Sequence, residues 1–131
     1  MARSERQASL PFTPAGSDNH GVHAERLALV LKFVAASPAA DHSVAAMADR
    51  MGVSARHLGR LFAEHTGVTP ARYVELVRVG AAKALLDGGC APLAAVAMQA
   101  GFGSAETMRR AFLRMVGVTP GAYRYRQARG R

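Results

Sequence analysis

The stretch that decides the fold of this chain is Gly101-Phe102-Gly103-Ser104-Ala105-Glu106-Thr107-Met108-Arg109-Arg110-Ala111-Phe112. Its glycines predict a tight turn. Ser104 predicts the N-cap of a following helix, because its hydroxyl can accept from the free N–H groups of the first turn. Glu106, Arg109 and Arg110 then face outward. The apolar residues recur at helical spacing and predict one buried stripe, formed by Met108, Ala111, Phe112 and Met115.

Two interpretations of this helix are open from the stretch alone. A short helix with an apolar back, a polar cap and a basic front fits the major groove of DNA. An ordinary surface helix would look similar, with Glu106 and Arg110 forming an i,i+4 ion pair worth a few tenths of a kcal/mol.

The stretch occurs twice, which favours the first interpretation. At an offset of 50 residues, nine of the twenty positions from Ser54 to Tyr73 are identical to positions 104–123, including Gly-Val-Thr-Pro at 67–70 and 117–120. Upstream the offset becomes 49, so Gly103 is a one-residue insertion in the second turn. Such a repeat indicates one supersecondary unit used twice: helix, glycine turn, helix and a Gly-Val-Thr-Pro stop.

Composition points to a basic, globular chain. It has 131 residues, half of them hydrophobic, and a net charge of +8, with a pI of about 11.0. Residues 101–131 hold seven arginines against one acid. This balance favours a polyanionic partner, either nucleic acid or an anionic membrane surface. Cys90 is the only cysteine, so a reducing cytoplasm fits. There is no signal peptide and no apolar run of 18 residues, so neither export nor a membrane span is expected.

The chain in order predicts a flexible linker or N-terminal extension over residues 1–22 and then helices only. Two further expectations concern which side chains of the third and fourth helices face the core. His65 joins the inner stripe of the third helix, and one continuous stripe on the long fourth helix includes Ala84 and Leu85. The basic tail, residues 127–131, is expected to be frayed. The predicted helices are about Glu25–Ala36, from Ser43 to Met51, 54–66, Pro70 to about Asp87, about Pro92–Ala100, 104–116 and a short one from Pro120 through Tyr123.

A family resemblance rests on Ala97-x-x-x-Gly101-Phe102-x-Ser104, Met108-x-Arg110-x-Phe112 and Gly117-x-Thr119-Pro120-x-x-Tyr123-Arg124. This pattern resembles the signature of AraC/XylS-type transcription regulators, and Gly-Phe-Gly-Ser-Ala-Glu-Thr is most similar to the GlxA-like branch. The resemblance implies an all-α, seven-helix domain over residues 23–126. Its two helix-turn-helix subdomains, about 23–70 and 88–126, are joined by a long connecting helix, about 70–87. Promoter DNA, RNA polymerase and an N-terminal sensor domain outside this chain are the partners it implies.

The same resemblance implies that two reading helices, residues 54–66 and 104–116, enter the major groove. Arginine can pair bidentately with guanine, glutamate can accept from cytosine N4, and threonine can contact a thymine methyl group or a phosphate. Arg60 and Arg110 occupy matching places, so one of them can hold phosphate instead of a base. Gly59 can reach no base. The candidate DNA-binding residues are Ser54, Arg56, His57, Arg60, Ser104, Glu106, Thr107, Arg109 and Arg110.

The predicted function is sequence-specific DNA binding that activates or represses transcription. Two reading helices on one face would meet major-groove segments about 34 Å apart, so one chain can read a tandem site. The alternatives are a protein-interaction module and a non-specific, nucleoid-type DNA-binding module. An enzyme is not expected, because the sequence shows no metal-ligand spacing, phosphate loop or paired carboxylates. No cofactor or metal is predicted.

Overall fold

The computed structural model describes the backbone of residues 15–130 and the side chains from Gly21 onward. Within that part of the chain all regular structure is helical, as the repeat and the resemblance predict. None of the described helices combines the length and the apolar character that a bilayer crossing requires. The seven helices are α1 (Ala15–Ala36), α2 (Val44–Met51), α3 (Ala55–Thr66), α4 (Pro70–Gly88), α5 (Leu93–Ala100), α6 (Ala105–Met115) and α7 (Pro120–Arg129).

Local hydrogen bonds set most of the helix boundaries. A serine or threonine hydroxyl accepts from a backbone N–H of the first turn at the start of five helices, and each such cap stabilises its helix by about 1 kcal/mol. Glycines in the left-handed region end α2 and α3 and close the turn after α5, with φ of 68°, 77° and 96° at Gly52, Gly67 and Gly101. The capping residues are Ser43, Ser54, Thr69, Ser104 and Thr119.

The sequence repeat appears in space as two similar cores. The first helix-turn-helix unit (α2 and α3) packs with α1, and the second (α5 and α6) packs with α7. Phe62 meets Tyr73 edge to face with ring centroids 5.8 Å apart, and Phe112 meets Tyr123 in the same way at 5.7 Å. The larger members of the first core are Leu27, Met47, Met51, Leu58 and Phe62, and those of the second are Leu86, Val96, Met108 and Phe112.

Helix α4 serves both cores, and the predicted stripe is wrong at one position, since Ala81 and Leu85 pack against the second core as expected and Ala84 does not. Val74 is buried in the first core, whereas Val79, Ala82 and Leu86 are buried in the second. Ala84, which the single stripe placed inside, is exposed. The reason is that the two cores lie against different faces of the helix, so no one stripe describes its whole length.

Both ends of the described chain contain more helix than the sequence predicts. Helix α1 begins at Ala15, inside the predicted linker 1–22, and residues 1–14 of that linker lie outside the described part. Polar sequence there has no apolar stripe, yet a helix anchored by packed turns propagates into it at little cost per residue. Helix α7 continues to Arg129, so the tail expected to fray is helical up to that residue. There α7 packs on α4, and Gln127 donates to Asp87 at 3.3 Å.

Candidate nucleic-acid interface

Helix α3 presents the predicted arginines to solvent. The Ser54 hydroxyl accepts from the backbone N–H of His57 at 3.0 Å, which fixes the start of the helix. Leu58, Leu61 and Phe62 are buried on the inner side, so Arg56 and Arg60 lie exposed on the outer side.

Two histidines of α3 differ in their surroundings. His57 is half-buried, with its ring edge to face against His23 of α1 at a centroid distance of 4.6 Å. His65 is exposed, so its predicted place in the inner stripe is wrong. One position further along, Thr66 is partly buried and its hydroxyl donates to the carbonyl of Phe62 at 2.7 Å. The inner side of α3 therefore continues from Phe62 to Thr66, four residues on, and does not include His65.

Helix α6 begins in the same way, with one additional hydrogen bond at its N-cap. The Ser104 hydroxyl accepts from the backbone N–H of Thr107 at 3.1 Å and donates to the Thr107 hydroxyl oxygen at 2.9 Å. Both side chains are exposed. Met108, Ala111 and Phe112 are buried, which leaves the opposite side of the helix facing solvent.

Three charged residues on that exposed side of α6 form one ion cluster. Arg109 donates from Nε to Glu106 Oε1 at 2.9 Å and from Nη2 to Oε2 at 2.7 Å. Arg110 donates from Nε to the same Oε2 at 3.0 Å. These hydrogen bonds lower the pKa of Glu106 to about 2, with the largest effect from Arg109 and the next from Arg110. The predicted i,i+4 pair between Glu106 and Arg110 is therefore present, and it is part of a three-residue network.

A cleft of about 390 Å³ separates α6 from the start of α2. Thr107 and Arg110 line it from α6, Ser43 lines it from the N-cap of α2, and Glu75 and Arg78 line it from α4. Part of the polar side of the second reading helix thus faces the first helix-turn-helix unit across an open groove.

The two helix-turn-helix units are connected through α4 and through the loop between α1 and α2. Arg78, partly buried in α4, donates from Nε to the carbonyl oxygen of Pro38 at 2.9 Å and from Nη2 to that of Ala40 at 3.1 Å. Gly101, in the turn of the second unit, lies so close that a Cβ there would overlap the Pro38 oxygen and reach within 2.7 Å of Arg78 Nε. Arg114 of α6 also forms an ion pair with Glu75 of α4.

These connecting residues were not among the sequence candidates. The glycine repeat shows that Gly101 ends a helix, as Gly52 does, but not that it lies against Pro38. No local pattern identifies Arg78 or Glu75, since their contacts to Pro38 and Arg114 span about 40 positions of the chain. Of the predicted residues, the structure brings Glu106, Arg109 and Arg110 together, and it pairs each capping serine with the residue three positions on. In the described part of the chain, no group of three or more His, Cys, Asp or Glu side chains is arranged to hold a metal.

Comparison with known proteins agrees with this architecture. The sequence matches the helix-turn-helix domain family over residues 47–126, more than half of the chain. The chain belongs to the AraC-type helix-turn-helix family. Among AraC-type relatives, an HTH-type transcriptional regulator of Mycobacterium tuberculosis is 43% identical over 83 residues, covering 63% of this chain and 32% of the relative.

Two further comparisons extend over most of the AraC-type domain. The transcriptional regulator GlxA of Rhizobium meliloti is 30% identical over 120 residues, covering 92% of this chain and 37% of GlxA. The DNA-binding domain of the global transcriptional factor AdpA, solved in complex with a target DNA, is 30% identical with a TM-score of 0.73, covering 83% of this chain and 95% of that one. The chain spans about a third of the length of the regulators it matches.

Proposed function

We propose that this domain binds promoter DNA in a sequence-specific manner and thereby regulates transcription. Helices α3 and α6 enter successive major-groove segments. The observation that carries the proposal is the duplicated unit: each reading helix buries its apolar side in its own core and leaves arginines exposed on the other side. Exposed arginines on a helix are suited to both phosphate contact and bidentate pairing with guanine.

Similarity to the AdpA domain supports the same function, because that domain was solved on a target DNA. The contacts between Arg78, Pro38 and Gly101 support simultaneous reading of two segments. Since they restrict how the two units move relative to each other, little orientational freedom is lost on binding. Where the spacing of the helices and of the groove differ, the DNA bends at an elastic cost of order 1–6 kcal/mol.

Individual roles follow from exposure and hydrogen bonding. Arg110 is the most exposed of the α6 cluster, with 70% of its side chain accessible, and its bond to Glu106 uses Nε alone. We assign it to a base edge or a phosphate of the second segment. Arg56 and Arg60 take the corresponding role in the first segment, Ser54 and Ser104 position the helix starts, and His57 and Thr107 lie beside them.

The wider context is part of the same proposal. The domain acts in the cytoplasm as the DNA-binding part of a regulator whose sensor domain lies elsewhere in the protein, and RNA polymerase is its functional partner. The relatives are transcriptional regulators, and the domain has no catalytic role.

The test is selection of bound sites from a random duplex pool, followed by titration of a selected and a scrambled duplex at several salt concentrations. Sequence-specific binding predicts a ratio of affinities of at least about 10³ and a linear fall of log affinity with log salt. Equal affinity for all duplexes would instead indicate a nucleoid-type role, and no affinity for either would indicate a protein-interaction module.

A further inference from the structure

The ion cluster of α6 occupies the donors that DNA would use. Arg109 places one whole edge of its guanidinium, Nε and Nη2, on the two carboxylate oxygens of Glu106. This is the fork geometry with which arginine binds phosphate or guanine. Arg110 gives Glu106 only its Nε. In the free domain the carboxylate therefore engages one edge of Arg109 and leaves the outer end of Arg110 projecting beyond it.

The exposures of the three side chains agree with this division. Arg109 is 46% accessible and Glu106 is 50%, whereas Arg110 is 70%. Because Glu106 has a pKa of about 2, its charge persists at every pH at which DNA stays paired. The cluster therefore presents two positive charges and one negative charge to any approaching polyanion.

We infer that Glu106 is a specificity-determining residue of α6, which restrains Arg109 from indiscriminate phosphate contact and positions Arg110 outward. The inference rests on the proposed DNA-binding function. A carboxylate is repelled by the phosphates of any sequence, and this cost is offset only where a base offers it a donor, such as the N4 amino group of cytosine. Glu106 thus weakens binding to random DNA more than binding to the selected site.

Glu106 also lies in the first turn of α6, where a negative charge favours the helix through its dipole. A purely structural role would change both duplex affinities together, whereas the specificity role changes their ratio. This difference separates the two explanations.

The experiment compares wild type, E106Q and E25Q on the selected and scrambled duplexes between 50 and 200 mM salt. E25Q removes the same charge from an exposed position on α1, so it controls for net charge. We expect E106Q to bind the scrambled duplex several-fold more tightly, with a log–log salt slope steeper by about one, the value for one added phosphate contact. The ratio of the two affinities should fall about tenfold, in the range of a lost base contact.

A second variant tests the role of Arg109 directly. If release of Arg109 supplies the added phosphate contact, the double variant E106Q/R109A returns the salt slope on scrambled DNA to the wild-type value. Thermal unfolding of each variant, followed by circular dichroism, reports whether the domain remains folded.

The outcomes distinguish the two proposals. If the wild-type domain binds the selected and the scrambled duplex with a ratio of affinities near one, both the proposed function and this inference are overturned. A high wild-type ratio that E106Q leaves unchanged, or changes no more than E25Q does, overturns the inference alone. A loss of affinity for both duplexes by the same factor, with folding intact, also contradicts it.

Discussion

Arg78 of α4 donates from Nε to the carbonyl oxygen of Pro38, 40 residues earlier in the chain, at 2.9 Å. A second donor of the same guanidinium reaches the carbonyl of Ala40. The connecting helix is thereby tied to the loop between α1 and α2, on the side where the turn of the second helix-turn-helix unit also lies. Burial lowers the pKa of Arg78 from its usual value, so these bonds form in a partly desolvated environment, where they are stronger than at an open surface.

Replacing Arg78 with alanine should loosen the two units relative to each other. It removes two charge-assisted hydrogen bonds and leaves two carbonyls without that donor, so the free energy of unfolding should fall by about 2–3 kcal/mol. Affinity for a duplex with both segments should fall more than affinity for a duplex with one segment, measured by fluorescence anisotropy. Arg78→Lys keeps the charge but not the fork, so it should give an intermediate result. Equal losses on both duplexes would contradict the connecting role.

Gly101→Ala and Gly52→Ala form a matched pair. Both glycines close the turn of a helix-turn-helix unit in the left-handed region, with φ of 96° and 68°, so an added Cβ costs about 1–2 kcal/mol at either position. At Gly52 the added Cβ would lie 3.7 Å from the flexible end of Arg26, but at Gly101 it would overlap the backbone of Pro38.

We therefore expect urea unfolding to show a loss of about 1–2 kcal/mol for Gly52→Ala, from backbone strain alone. Gly101→Ala should lose more than this, because backbone has to move to admit the methyl group. Similar losses for the two variants would mean that the contact with Pro38 contributes little to stability.

The role of Arg110 can be separated from a general charge effect. Arg110→Ala should weaken binding to the selected duplex by about 1–3 kcal/mol and relax preference at one base pair if Arg110 reads a base. If it holds a phosphate, affinity falls uniformly across sequences and the salt slope drops by about one. Lys32→Ala, which removes an exposed charge from α1, is the control. An Arg110→Ala variant that matches this control would show that α6 does not contact DNA through this side.

The state of Glu106 can be measured without DNA. Its hydrogen bonds to Arg109 and Arg110 lower its pKa from 4.5 to about 2 in the folded domain. A group with a lowered folded-state pKa contributes stability above its unfolded pKa, and that contribution disappears as the pH falls through the folded value. Because an NMR titration of the Glu106 carboxyl carbon reports the folded-state pKa, its midpoint should lie near 2. A midpoint near 4.5 would mean that the cluster does not persist in solution.

The local parts of this architecture were predictable, and the contacts between distant parts were not. The caps at Ser54 and Ser104 follow from sequence because the hydroxyl and the N–H that it satisfies are three residues apart. The bidentate pairing of Arg109 with Glu106 was missed, because spacing allows an i,i+3 contact but does not select the rotamers that form it. The exposure of Ala84 depends on where the second core lies against α4, and no single stripe along the helix encodes that position. The contact of Arg78 with Pro38 requires the tertiary fold itself.

Gly59 offers a gain-of-function test of the first reading helix. A Cβ at this α3 position would meet no described residue within 4 Å, so Gly59→Arg should fit without strain and raise the free energy of unfolding by about 0.5–1 kcal/mol through helix propensity. It also adds an arginine beside Arg56 and Arg60, so the salt slope on random duplex should steepen by about one. Gly80→Arg, in α4 and likewise clear of neighbours among the residues that the structure describes, adds the same charge and should give the same stability gain. Because Gly80 is not on a reading helix, we expect its effect on DNA to be much smaller, and equal effects of the two variants would show that α3 does not approach the duplex.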